Sequence, residues 1–306
     1  MLGLFGKHKQ AVTVGMQIAS GGLSFLVLDV KSRVQPKIKD YVSYTIANGE
    51  PLDQLAINIK QYVEENRILK AKSCFVLDDE DYQLLTVESP KVPDDELREA
   101  VTWKIKDLIT FPIDDVLIDV FLFPENNRST KKIANVVVHR DVIQNISSFV
   151  ESVGLNLLAI DVPEMSYRNY IETTEYHEKS IAVVLIKENY GKLIVVQNSH
   201  VLFSRSFSIP YNGGLFDNLP ESEIALELQR SLDYYERQLK QIVPSRVIFV
   251  GENITDDKVT AVIRESLNQE VIIGKVENLA DSENQHLYSG RLVAAYGGAL
   301  RKELYL

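Results

Sequence analysis

Two stretches of the chain carry apolar residues almost without interruption: AVTVGMQIASGGLSFLVLDV (11–30) and IAVVLIKENYGKLIVVQNSHVLFSRSF (181–207). Runs rich in Val, Ile and Leu suit strands covered on both faces. The glycine-bearing break inside each run predicts a hairpin. The segment C-terminal to each run has helical period instead. Leu52, Leu55, Ile59, Tyr62 and Val63 share one stripe after the first. Ile224, Leu228, Leu232, Tyr235, Leu239 and Ile242 do so after the second, at steps of three and four. On its polar side Asp233 and Glu236 stand one turn before Arg237 and Lys240, a spacing that adds modest support. RVIFV (246–250) is a further strand, and GENITDD leads from it into a helix carrying Val259, Val262, Ile263 and Leu267. Two halves built in the same order predict a duplicated α/β fold.

Between the halves lies a unit of another kind. Leu97, Val101, Ile105 and Leu108 form the stripe of a helix opened by Pro93 and the acids at 94–96, and closed by Phe111-Pro112. DVLIDVFLF (115–123) and IANVVVH (133–139) read as strands around a polar loop. DVIQNISSFVESVG (141–154) is a helix that Gly154 can close, and LNLLAID (155–161) is a strand. This small α+β module of about 70 residues is of ordinary size for a subdomain. The expected limits are 1–88 plus 160–178 for the first lobe, 89–159 for the inserted module and 179–306 for the second lobe.

Composition narrows the function. The chain has 306 residues, enough for two lobes. It is 45% hydrophobic and 25% charged, an ordinary globular balance. A net charge of -10 and the lack of a basic stripe argue against a nucleic-acid partner. One cysteine, Cys74, excludes an internal disulfide and fits a reducing compartment. No apolar run reaches 18 residues, so no transmembrane span is expected. The opening MLGLF reads as a frayed tail, with a weak interfacial anchor as the alternative. The expectation is a cytoplasmic protein.

Three segments carry a family likeness: DDELREAVTWKIKDLITFPIDDVLIDVFLF, ESVGLNLLAIDVPEMSYRN and ELQRSLDYYERQL. They resemble the PilM/MshI proteins of type IV and MSHA-type pilus assembly, relatives of FtsA and of the cytoplasmic domain of GspL. The likeness runs from the LFGK start to AAYGGALR near the end. It implies an actin-like fold: two ribonuclease-H-like lobes, with a small α+β subdomain inserted in the first.

In actin-like ATPases two hairpin turns close on the nucleotide's phosphates, and a glycine-rich turn holds the adenosine. Laid on that pattern, Gly15 and Ser20 match the first turn. Gln17 stands at the acidic position, Ala19 at the next glycine and Ser24 at the lysine. In the second turn Leu185 replaces the aspartate and Lys187 the glycine. The adenosine turn keeps Gly251 but puts Glu252 beside it. Magnesium is a hard ion held through carboxylates or through its waters, and both carboxylates are gone. Lys187 is chemically able to bind a phosphate, but beside a strand-end turn it reads as solvated. The expectation is therefore a degenerate pocket with no cofactor, neither ATP nor magnesium, and no catalysis.

Other chemistry lacks its signatures. The sequence has no phosphate-loop or dinucleotide fingerprint, no ligand spacing among its five histidines and no nucleophile elbow. LDDEDY (77–82) reads as an acidic turn without the ligand spacing of a calcium loop. The resemblance then implies a non-catalytic adaptor, peripheral to the inner membrane through its partners. It would bind the cytoplasmic N-terminus of a PilN-like bitopic protein, with the assembly ATPase as a second candidate contact. In the family that peptide docks between the first lobe and the inserted subdomain. Trp103, Phe111 and Pro112 match the family motif and are candidates for lining the groove, with packing inside the module as the alternative. The competing reading is an actin-like ATPase or nucleotide-dependent switch of the same machinery.

Overall fold

The computed structural model describes residues 11–19, 22–32, 36–45, 52–93, 96–124, 132–176, 179–214, 216–259, 261–276 and 285–304. Strands β1 (Val12–Ala19) and β2 (Gly22–Asp29) form the first expected hairpin, and β3 (Lys37–Thr45) extends it as a third antiparallel strand. Helix α1 (Leu52–Glu65) carries the chain to β4 (Lys72–Val76), which lies parallel to β1. Next come β5 (Tyr82–Glu88), α2 (Leu97–Ile105), β6 (Val116–Leu122) and β7 (Lys132–His139). Their strands make a separate antiparallel sheet of order β5-β7-β6. Helix α3 (Arg140–Ser152) then returns to the first sheet, where β8 (Asn156–Asp161) pairs parallel to β4.

The hydrogen-bonded module thus runs from β5 to β7. Relative to the expected limits of 89–159 it takes in 82–88 and leaves α3 and β8 to the first lobe. The reason is burial: Ile146, Val150 and Val153 pack with Ile59, Val63 and Ile68 of the first lobe.

Helix α4 (Pro163–Glu172) leads to the second sheet. Strands β9 (Ile181–Lys187), β10 (Tyr190–Gln197) and β11 (His200–Ser208) are antiparallel. Helix α5 (Glu221–Asp233), β12 (Arg246–Val250), α6 (Ala261–Ser266) and β13 (Glu270–Ile273) come after them, with β9, β12 and β13 mutually parallel. The order β11-β10-β9-β12-β13 repeats β3-β2-β1-β4-β8 strand for strand. The duplication expected from the two apolar runs is therefore real.

The last helix, α7 (Gln285–Ala299), crosses back to the first lobe. Thr13 Oγ1 donates to the Ala299 carbonyl at 2.8 Å, and a Cβ on Gly15 would stand 1.8 Å from the Ala295 carbonyl oxygen. Between the two sheets α4 and α7 complete a core of their own. Leu26, Leu28 and Val76 approach it from one side, Val183, Leu185 and Ile248 from the other. This core joins the lobes.

Some expected stripes end early. Leu108 lies beyond α2 and is exposed, and Ile242 is exposed as well. The helix of α5 passes into one π-type turn at Tyr234–Gln238, after which Lys240 adopts φ 53° and turns the chain away. Asp233 and Arg237 come within 3.6 Å before that break, whereas the Glu236 and Lys240 spacing falls across it. Val262 faces outward on α6.

Candidate functional site

Of the positions aligned with the phosphate turns, Gln17, Ser24 and Leu185 are buried. Gln17 is buried opposite Ser24, which is also buried, and its Nε2 donates to the Leu77 carbonyl at 3.3 Å. Leu185 belongs to the core between the lobes. Ser20 lies outside the described residues. Gly251 has φ 150°, and a Cβ there would stand 2.2 Å from the Ile186 carbonyl oxygen, so this turn is pressed against β9. Glu252 is half-buried, and its charge, after burial and Asp217, helps push the Tyr211 phenol above its usual range.

Lys187 is not solvated as its place beside a turn implied. It is largely buried and forms ion pairs with Asp78 and with Asp79, the latter at 2.7 Å. On the second strand of the β9–β10 hairpin, Lys192 lies 2.5 Å from Asp79 Oδ1 and 2.8 Å from Glu164 Oε1. Its Nζ also donates to Tyr82 Oη at 2.7 Å, and that hydroxyl donates to Glu164 Oε2 at 2.7 Å. Ser204 Oγ donates to Glu164 Oε1 at 2.8 Å, and Tyr190 Oη to Asp79 Oδ1 at 3.1 Å.

Two ammonium groups from the second lobe therefore meet three carboxylates of the β4–β5 loop and α4. Burial lowers the pKa of Lys187 and Lys192, but the carboxylates around them outweigh it and raise both. The same balance holds Asp79 below its usual range against burial. The cluster thus sets two cationic side chains among three acidic ones.

A second feature opens between the inserted module and the first lobe: a groove of about 460 Å³. One wall is the face of the module sheet opposite α2, with Leu117, Asp119 and Phe121 of β6 beside Val136 and Val138 of β7. Five consecutive residues of β6 line it, and β6 is one of the two edge strands of its sheet among the described residues. The other wall includes Ile160, Met165 and Arg168. Its floor holds Asp161, buried, with Arg301 Nη1 2.9 Å from Asp161 Oδ2. Burial raises the Asp161 carboxyl above its usual range, and Arg301 offsets part of that. Arg98 reaches round from α2 to Asp119 at 2.9 Å.

None of Trp103, Phe111 and Pro112 lines this groove. Trp103 is 69% exposed on the outer side of α2, with Lys106 Nζ 5.5 Å from its ring centre, so it is not core. Phe111 meets the His139 ring edge-on at 5.6 Å, and Pro112 is exposed. Sequence reading missed Asp78, Asp79, Glu164 and Lys192. The available signal was Lys192 itself, a cation inside an apolar strand, which burial obliges to find partners.

With fold and site described, comparison with known proteins defines the class: this is an actin-like fold. A chain of a PilM-PilN type IV pilus biogenesis complex matches it with a TM-score of 0.73 at 19% identity, covering 96% of this chain and 98% of that one. The cytoplasmic domain of EpsL, an inner-membrane component of the type II secretion system of Vibrio cholerae, matches at 0.52 and 11%, covering 80% and 84%. A Bacteroides thetaiotaomicron protein described as having an actin-like ATPase fold matches at 0.53 and 8%, covering 89% and 94%. No protein-family model and no curated protein matches the chain. Among the described residues no helix is long and apolar enough to cross a membrane.

Proposed function

We propose that this chain is a non-catalytic adaptor of a type IV or MSHA-like pilus assembly platform. It takes the cytoplasmic N-terminal peptide of a PilN-like inner-membrane protein into the groove between β6 and the first lobe. Membrane association then comes through that partner, and the motor ATPase is a further contact of the same platform.

The observation that carries the reading is the groove along β6, an edge strand of its sheet among the described residues. An extended peptide can add its backbone to such an edge while alternate side chains enter apolar pockets, a recognised mode of peptide capture. Leu117, Phe121 and Met165 offer the apolar contacts, and Arg168 and Arg301 offer charge. The likeness to a chain from a PilM-PilN complex over nearly its whole length supports the choice of partner.

Magnesium-nucleotide binding fits these residues poorly. Gln17 and Leu185 offer no carboxylate for the metal. Lys187, at the second phosphate-turn position, is already paired with Asp78 and Asp79.

The test is a titration with a labelled synthetic peptide from the partner's cytoplasmic N-terminus, beside a thermal-shift series with Mg-ATP. The adaptor reading expects saturable peptide binding, weakened by Leu117→Asp, and no shift with millimolar nucleotide. A true nucleotide binder at about 100 times its Kd would gain about 2.7 kcal/mol. That gain, with no peptide binding, would instead favour the nucleotide-operated switch.

A further inference from the structure

We propose that Lys187 and Lys192, with Asp78, Asp79 and Glu164, form a clasp that fixes the angle between the two lobes without any ligand. It rests on the nucleotide-free reading of the pocket and adds what replaces the nucleotide as the cross-lobe link.

The geometry is directional. Both lysines come from the β9–β10 hairpin of the second lobe. Asp78 and Asp79 come from the loop after β4 of the first lobe, and Glu164 from the first turn of α4, between the lobes. Each lysine grips two carboxylates, and Asp79 is shared by both. Opening the lobes would separate these charges while they are still shielded from water. Glu164 is fully buried and Asp79 nearly so. An uncompensated charge in such a place is strongly unfavourable, so partial opening is penalised and the closed angle is selected. Tyr82 and Ser204 add hydrogen bonds to Glu164, and Tyr190 adds one to Asp79, which together favour one geometry for the clasp. In an ATPase of this fold the corresponding link is made by a ligand that comes and goes. Here it is covalently part of the chain, and the lobes have no cycle.

Spin labels on Leu69→Cys and Leu226→Cys, exposed positions on the first and second lobes, read the angle as a distance distribution. Cys74 is buried and takes no label. The clasp predicts one narrow distribution in the parent, a broad one in Lys187→Met, and a narrow one again in Lys187→Arg, which keeps the cation facing both Asp78 and Asp79. A Lys187→Met protein as narrow as the parent overturns the clasp. If Lys187→Met does not fold, Lys187→Arg decides: a narrow distribution supports the clasp, a broad one overturns it. A shift of the parent distribution on adding Mg-ATP would instead overturn the nucleotide-free reading.

Discussion

Lys192 Nζ sits 2.8 Å from Glu164 Oε1, joining a strand of the second lobe to the helix between the lobes, with both side chains shielded from water. Removing one member of such a pair strands the other. Lys192→Met is expected to cost about 3–5 kcal/mol in urea unfolding, the range for breaking a buried pair from one side. Lys187→Met should cost less, because Lys187 keeps some contact with water. A Lys192→Met protein within about 1 kcal/mol of the parent would mean the pair adds little beyond its desolvation cost.

Acid should loosen the same cluster. Burial pushes the Asp79 carboxyl up, but Lys192 and Lys187 outweigh it and hold it below its usual range. A carboxyl with a depressed native pKa contributes all its stability above its unfolded value of about 3.9. That contribution is lost as pH falls through the native value. The Tm should therefore drop steeply below about pH 4, and Asp79→Asn should lower it at neutral pH while flattening the acid limb. Parallel curves for the two proteins would contradict this.

Gly15 matches the glycine of a phosphate turn, yet its work here is to seat α7. An added Cβ would lie 1.8 Å from the Ala295 carbonyl oxygen and 2.7 Å from the Ala299 nitrogen, both backbone. Backbone cannot step aside like a side chain, so Gly15→Ala should cost at least the usual 1–3 kcal/mol, roughly, of overpacking. Chemical denaturation reads it, and an unchanged midpoint would show that α7 can shift freely.

Trp103 should prove separate from the groove. Trp103 is 69% exposed across the module from β6, so Trp103→Ala should change stability by no more than about 0.5 kcal/mol. It should leave peptide affinity unchanged as well. Leu117→Asp places a charge on the groove wall and should weaken binding at least about tenfold, the scale of one lost apolar contact and a desolvated carboxylate. Fluorescence anisotropy checks both. The reverse ranking would move the docking face to the outer side of α2.

The architecture was legible because both hairpins are covered on two faces, which leaves near-continuous apolar runs such as IAVVLI. The helix stripes were legible because each helix buries one face only. Strand β3, KIKDYVSYT, was not, since its polar residues break any apolar run. The limits of the inserted module were shifted because α3 and β8 look like continuations of it in sequence but bury their apolar faces elsewhere. The charged cluster was hidden by separation: Asp78 and Lys187 are 109 residues apart and meet only through the placement of the lobes. The groove is likewise a gap between folded units, and no local pattern encodes a gap. The departures from the phosphate-turn pattern at Gln17 and Leu185 were legible in the sequence, but the two carboxylates that hold Lys187 were not.

Hydrogen exchange with and without the partner's N-terminal peptide tests the central claim most directly. The account predicts slowed exchange confined to the backbone amides of Val116–Leu122 and the neighbouring first turns of α4, with the β9–β10 hairpin and Gly251 unaffected. Protection appearing at that hairpin and at Gly251, with β6 unchanged, would place the ligand in the cleft between the lobes and contradict it.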